Sequence, residues 1–157
     1  MSKLRYIEFW QAVKAQLNTA LMQQILGGPS RVYLESQDYS KPEGIEGGEW
    51  GRLVIVPTAT LWADADSSMG PTRNLAFMIR AELSNYTQAG YDHTIPLDAA
   101  QDEVENQLIG WIPVGFTRIR VVLPLYLFAN RQPLPLWDDD RGLYFTSAQF
   151  RTEVTKV

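Results

Sequence analysis

The chain has one imidazole, His93, and no cysteine. Any Ser-His-Asp triad, histidine acid–base step or His-based metal site must therefore depend on His93. Thiolate nucleophiles, Cys-based zinc sites and disulfide frameworks are excluded together. His93 stands in Tyr91-Asp92-His93-Thr94, a polar connection with no neighbouring pattern that assigns it a catalytic role, so an exposed loop histidine is the favoured reading. Asp138, Asp139 and Asp140 could offer oxygens to a hard cation. Calcium loops, however, place their ligands at alternate positions around a turn glycine, and a solvated acidic loop fits this triplet better. Asp64 and Asp66 do alternate, yet nothing nearby completes a shell of about six oxygens, and a structural turn is favoured. The expectation is no catalytic residue, no metal and no cofactor.

Phosphate cradles fare no better. Gly27-Gly28 and Gly47-Gly48 match neither G-x-x-x-x-G-K-[ST] nor G-x-G-x-x-G, and neither follows a strand and opens a helix. Two other groups stand out. Arg118 and Arg120 share one strand face, with Arg73 and Arg80 on other segments; a local basic surface competes with the plainer reading of cross-strand pairing with Glu82 and Glu153. Trp50, Trp62 and Trp137 fall in or beside polar stretches instead of on a periodic apolar face. They are loop anchors or contact residues, because Trp is enriched where protein surfaces meet. Trp50, Trp62, Trp137, Arg118 and Arg120 are thus the candidate interface residues.

The elements that must position these residues follow from hydrophobic period. Between Arg5 and Leu26, Ile7, Trp10, Val13, Leu17, Leu21 and Ile25 recur every three or four positions, which predicts one amphipathic helix closed by Gly27-Gly28-Pro29. Arg31-Val32-Tyr33-Leu34 reads as a short strand, and residues 35–50, rich in charge and glycine, as an exposed loop. Leu53-Val54-Ile55-Val56 is a strand ended by Pro57. A second strand carries Leu75, Phe77, Ile79, Ala81 and Leu83 on one face and Arg80 and Glu82 on the other. Asp98 and Gln101 resemble a capping box for a helix over 97–109 whose apolar face is Ala100, Val104, Leu108 and Trp111. From Phe116 onward Ile119, Val121, Leu123, Leu125 and Leu127 alternate with Arg118 and Arg120, and Pro124 marks an edge strand or a bulge. Tyr144 to Val154 alternates again as a last strand. The order α-β-β-β-α-β-β predicts an α+β fold, a largely antiparallel sheet with two helices packed on one face.

At 157 residues one domain spanning 1–157 is expected. Apolar residues at 45% against 20% charged are far from the signature of disorder, so the chain should fold by itself. A net charge of −4 gives no broad positive field, which argues against tight non-specific nucleic-acid binding. No apolar run approaches the roughly 18 residues of a membrane span, and the N-terminal residues lack a signal-peptide core, so a cytosolic product is expected.

The long first helix, the segment Gly27-Gly28-Pro29-Ser30-Arg31-Val32-Tyr33, the central sheet, and the second helix from Asp98-Ala99-Ala100-Gln101 through Trp111 together resemble the tail terminator (tail completion) proteins of long-tailed bacteriophages. The resemblance covers nearly the whole chain and rests on the order of elements and these local similarities. It implies a structural virion protein, made in the host cytoplasm, that forms a hexameric ring, caps the finished tail tube and docks to head-side neck proteins. Its partners would be further copies of itself, the tail tube protein and the connector proteins. DNA would pass through the lumen without sequence recognition, and a net negative chain suits a channel that must not grip phosphates. In such a ring, loops such as 35–50 and 57–72 would reach neighbouring subunits and the sheet edge near Pro124 would meet another chain through head-to-tail contacts. The loops around 35–50 and 130–142 match no general pattern of that family and would suit another neck or head–tail connector role as well.

Two other classes make different demands. An enzyme built on Asp64, Asp66 or His93 requires a pocket that gathers two of them. A monomeric ligand-binding domain requires the tryptophans to line one pocket, whereas an assembly protein separates them onto opposite edges.

Overall fold

A computed structural model describes residues 6–35, 51–62, 72–84, 94–129, 135–139 and 142–157, the side chains of 59–62, 84 and 94 excepted. The elements are α1 (Ile7–Leu17), α2 (Ala20–Leu26), β1 (Val32–Leu34), β2 (Gly51–Trp62), β3 (Thr72–Ser84), α3 (Thr94–Leu108), β4 (Ile119–Val121), β5 (Tyr126–Ala129), β6 (Leu136–Asp138) and β7 (Leu143–Lys156). The sheet order is β1-β2-β3-β7-β4, with β5 and β6 also paired to β7. Among the described strands β1–β2 is the parallel pair and the others are antiparallel. The α+β expectation holds, with the helices on one face of a mostly antiparallel sheet.

The first helix is not continuous. Asn18 and Thr19 leave helical geometry, and the Thr19 hydroxyl caps α2 by accepting the Met22 N–H at 3.0 Å. The same hydroxyl donates to Glu103 Oε2 on α3 at 3.0 Å, so the break is held by tertiary contact. Two non-helical residues advance the apolar phase by one position. Trp10, Val13 and Leu17 are buried as their spacing requires, Ile7 only partly, with Phe9 buried beside them, but α2 buries Met22 and Leu26 while Leu21 is 51% exposed. Gly27 closes α2 in the left-handed conformation (φ 84°), and the Gly28 N–H donates to the Gln23 carbonyl at 2.9 Å.

Pro57 does not end β2. The strand passes it with a register shift between Pro57 and Ala59 and continues to Trp62. Pro57 has no N–H to donate and is tolerated in a long strand because it sits at that bulge. The capping box is also corrected: α3 begins at Thr94, four residues before Asp98. Pro96 fits inside its first turn, where backbone N–H groups lack helical partners anyway. Gln101 turns to the sheet instead, donating from Nε2 to the Ile79 carbonyl (3.3 Å) and to Thr146 Oγ1 (3.2 Å).

Strand alternation sets the core. Leu75, Phe77, Ile79, Ala81 and Leu83 of β3 and Ala148, Phe150 and Val154 of β7 are buried under the helices. Leu97, Ala100, Val104 and Leu108 of α3 join them, and Trp111 is half-buried against the same cluster. Phe77 is its centre, edge-on to Phe9 and Trp10 at 6.0 and 5.5 Å and stacked on Phe150 at 5.7 Å.

Candidate assembly surface

β7 is 14 residues long and pairs with β3 from Leu143 to Thr155. Its other side is covered piecewise. β4 pairs opposite Val154–Lys156, β5 opposite Gln149–Arg151 and β6 opposite Leu143–Phe145. The alternating run seen from Phe116 onward is therefore two short strands, separated at Pro124. Around that break the Thr152 hydroxyl donates to the Leu123 carbonyl at 2.6 Å, and Leu125 exchanges backbone hydrogen bonds with Gly110 and Trp111 (2.8 and 3.0 Å). Ile119, Val121 and Leu125 are buried, but Leu123 is exposed, because the chain has left the ladder where its side chain would have faced the core.

This broken edge gathers exposed apolar side chains. Among the described residues, ten of the twelve large exposed hydrophobics, all but Leu21 and Ile95, lie on or beside it: Ile109, Ile112, Val114, Val122, Leu123, Tyr126, Phe128, Leu136, Trp137 and Val157. Scattered apolar residues on a surface are ordinary; a concentration on one edge marks an interaction surface. A cleft of about 330 Å³ at this edge is lined by Val114, Phe116, Ile119, Arg120, Val121 and Val157. Breaks, a proline and a bulge keep the edge from being a flat template for indefinite strand addition.

Trp137 lies in β6, not in a loop. It is 41% exposed, its ring is 4.8 Å from that of Tyr144, and its indole N–H donates to Asp139 Oδ1 at 3.0 Å. Trp62 is the last residue of β2; its side chain, Trp50, Asp64, Asp66, His93 and Asp140 lie outside the described residues, as do 36–50, 63–71, 85–93 and 130–134.

The charges redistribute. Glu82 does not pair with Arg118 or Arg120; it is fully buried and binds Arg52, also fully buried, and Arg80 at 2.7 Å. Arg80 continues to Asp138 Oδ2 at 2.9 Å and lies 3.8 Å from the Phe145 ring centroid. Asp138 is therefore the end of a strand held by an arginine and not part of a solvated acidic loop. Sequence alternation placed Arg80 and Glu82 on the polar face correctly; their burial could not be read from it. The exposed Arg118 and Arg120 have no ion-pair partner among the described residues. A polar cleft of about 280 Å³ beside them is lined by Thr117, Arg118, Lys156 and Val157.

A third cleft, about 330 Å³ between α1 and β1, is lined by Gln11, Lys14, Ala15, Asn18, Ser30, Val32 and Tyr33. None of these three clefts joins two carboxylates. Among the described residues no group of three His, Asp or Glu side chains could hold a metal ion, and no helix is long and apolar enough to cross a membrane.

No family model matches the chain, and no curated protein does. Among solved structures it is similar to a chain of "Virion of native gene transfer agent (GTA) particle", with 20% sequence identity, 92% of each chain covered and a TM-score of 0.66. At that identity the likeness is one of fold.

Proposed function

We propose that this protein is a structural component of a virion, a ring at the head-proximal end of a phage tail that ends tube polymerisation and joins the tail to the head or neck. The observation that carries the reading is the apolar, broken sheet edge formed by β4, β5 and β6, whose large apolar side chains remain exposed among the described residues. The fold likeness to a chain of a virion particle over 92% of both chains supports it, as does the resemblance to tail terminators in the order of elements. The role is mechanical and not enzymatic. Copies of the chain meet head to tail, the β4–β5–β6 edge of one against a different surface of the next, and repetition of that heterologous contact closes a hexamer. Trp137, Arg118 and Arg120 lie on or beside the contacting edge, and Trp50 and Trp62 contribute from other segments. Aromatic anchors supply most of the binding energy once buried in a contact. One face of the ring meets the tail tube protein, the other the connector or neck proteins, and DNA passes through the lumen without being read.

The test is tube growth. Purified tail tube protein of the same phage is polymerised with and without this protein, and tube lengths are measured by negative-stain microscopy. Tubes that stop growing and carry a ring at one end are expected. Tubes that grow unchanged while the protein binds the portal-side connector instead would move it to another neck position.

A further inference from the structure

The sheet face turned away from the helices carries, at the β4–β5 edge, two guanidiniums that form no ion pair among the described residues and two exposed aromatic rings. Arg120 stands opposite Thr155 and Tyr126 opposite Arg151, which places all of them on that face. The Arg151 guanidinium lies 3.9 Å from the ring centroid of Phe128, the residue at the register shift in β5. Phe128 and Tyr126 are 49% and 39% exposed. Neither Arg120 nor Arg151 forms an ion pair among the described residues, although Glu153 stands on the same face. A cation held over an exposed ring calls for a carboxylate with apolar surface beside it. The complement of this patch is an acidic segment carrying aromatic residues.

We propose that, in the ring, the patch is occupied by the 36–50 segment of the neighbouring copy; the inference rests on the ring reading above. That segment carries Asp38, Glu43, Glu46 and Glu49 against a single lysine, most of the chain's net charge of −4, with Tyr39, Ile45 and Trp50 among them. Its roots, Glu35 and Gly51, are at the β1–β2 edge, and the patch is at the opposite edge of the sheet. Head-to-tail contacts bring opposite edges of neighbouring copies together. Gly51 stands level with Leu83 and Leu83 with Tyr144. From Tyr144 to Arg151 is about 23 Å along β7 at ~3.3 Å per residue. The 15 residues from 36 to 50, doubled back on themselves, reach about 25 Å. Carboxylates of the segment satisfy Arg120 and Arg151, and its aromatic residues cover Tyr126 and Phe128.

The absence of cysteine makes the test direct. Glu46→Cys is made in one preparation and Gln149→Cys, an exposed position beside the patch, in another. The two are assembled in equal mixture, oxidised and resolved under denaturing conditions. A disulfide-linked pair of chains is expected from the mixture and from neither variant alone. Its yield should fall about tenfold when the Gln149→Cys chain also carries Arg120→Glu, because like charges then face each other. Rings without that linked pair would overturn the inference and leave the ring reading standing. Protein that forms no ring under any condition would overturn the reading beneath it.

Discussion

Replacing Glu82 with alanine probes the buried ionic network where its consequence is largest. Both the Glu82 and Arg52 side chains are at 0% exposure, and the Glu82 oxygens accept from Arg52 Nε and Arg80 Nε. Removing the carboxylate takes the Glu82 anion from beside the fully buried Arg52 guanidinium, and breaking a buried pair costs about 3–5 kcal/mol. Arg80 is 18% exposed and keeps Asp138, so its share is small and the lower part of that range applies, about 3 kcal/mol. For a domain of this size each kcal/mol lowers Tm by about 2–4 °C, giving a fall of about 6–12 °C. The double variant Arg52→Met/Glu82→Leu removes both charges and keeps volume. It should stand within about 2 kcal/mol of the parent, since apolar replacement of a whole buried pair is often neutral. Thermal and urea denaturation followed by circular dichroism read both. A single variant that loses less than about 1 kcal/mol, or a double variant as damaged as the single, would refute the assignment of a desolvated, mutually dependent pair.

Other expectations follow from the same contacts. Thr19→Ala removes the cap of α2 and the bond to Glu103, and should cost about 1–2 kcal/mol in urea melts. The phase shift in α2 makes Met22→Asp unfold the protein, while Leu21→Asp, one residue earlier on the exposed side, should stay within about 0.5 kcal/mol of the parent; circular dichroism separates the two. Trp137→Ala should leave Tm nearly unchanged, because the ring is 41% exposed, yet lower the fraction of assembled protein in size-exclusion chromatography by at least about tenfold.

Much of the fold was legible because strands alternate and helices repeat. The β3 face from Leu75 to Leu83, the β7 alternation and the α3 stripe of Ala100, Val104 and Leu108 all sit in the core as their spacing requires. What escaped has common physical causes. The α1–α2 break is stabilised by Glu103, far away in sequence, and continuous apolar spacing across Asn18-Thr19 concealed it. Pro57 reads as a terminator, but a bulge accommodates it because β3 and β7 supply a long template. Asp98 and Gln101 have capping-box spacing, yet the helix starts earlier and Gln101 is used against the sheet. The candidate surface was legible in part. Pro124 marked the broken edge, and Arg118 and Arg120 stood out as a pair on one strand face, but their cross-strand pairing with Glu82 and Glu153, which the sequence favoured, does not form among the described residues. The burial of Arg52 and Glu82, and the role of Asp138 in holding β6, depend on which strands become neighbours, which residue types alone do not specify.

The mass of the assembled protein tests the central claim most directly. Multi-angle light scattering of the purified chain over a range of concentrations and at two salt levels, with negative-stain imaging of the same samples, should give a closed ring of about six subunits, alone or once tail tubes are added. A strict monomer at every concentration, with no ring in the images and no binding to tail tubes, would contradict it.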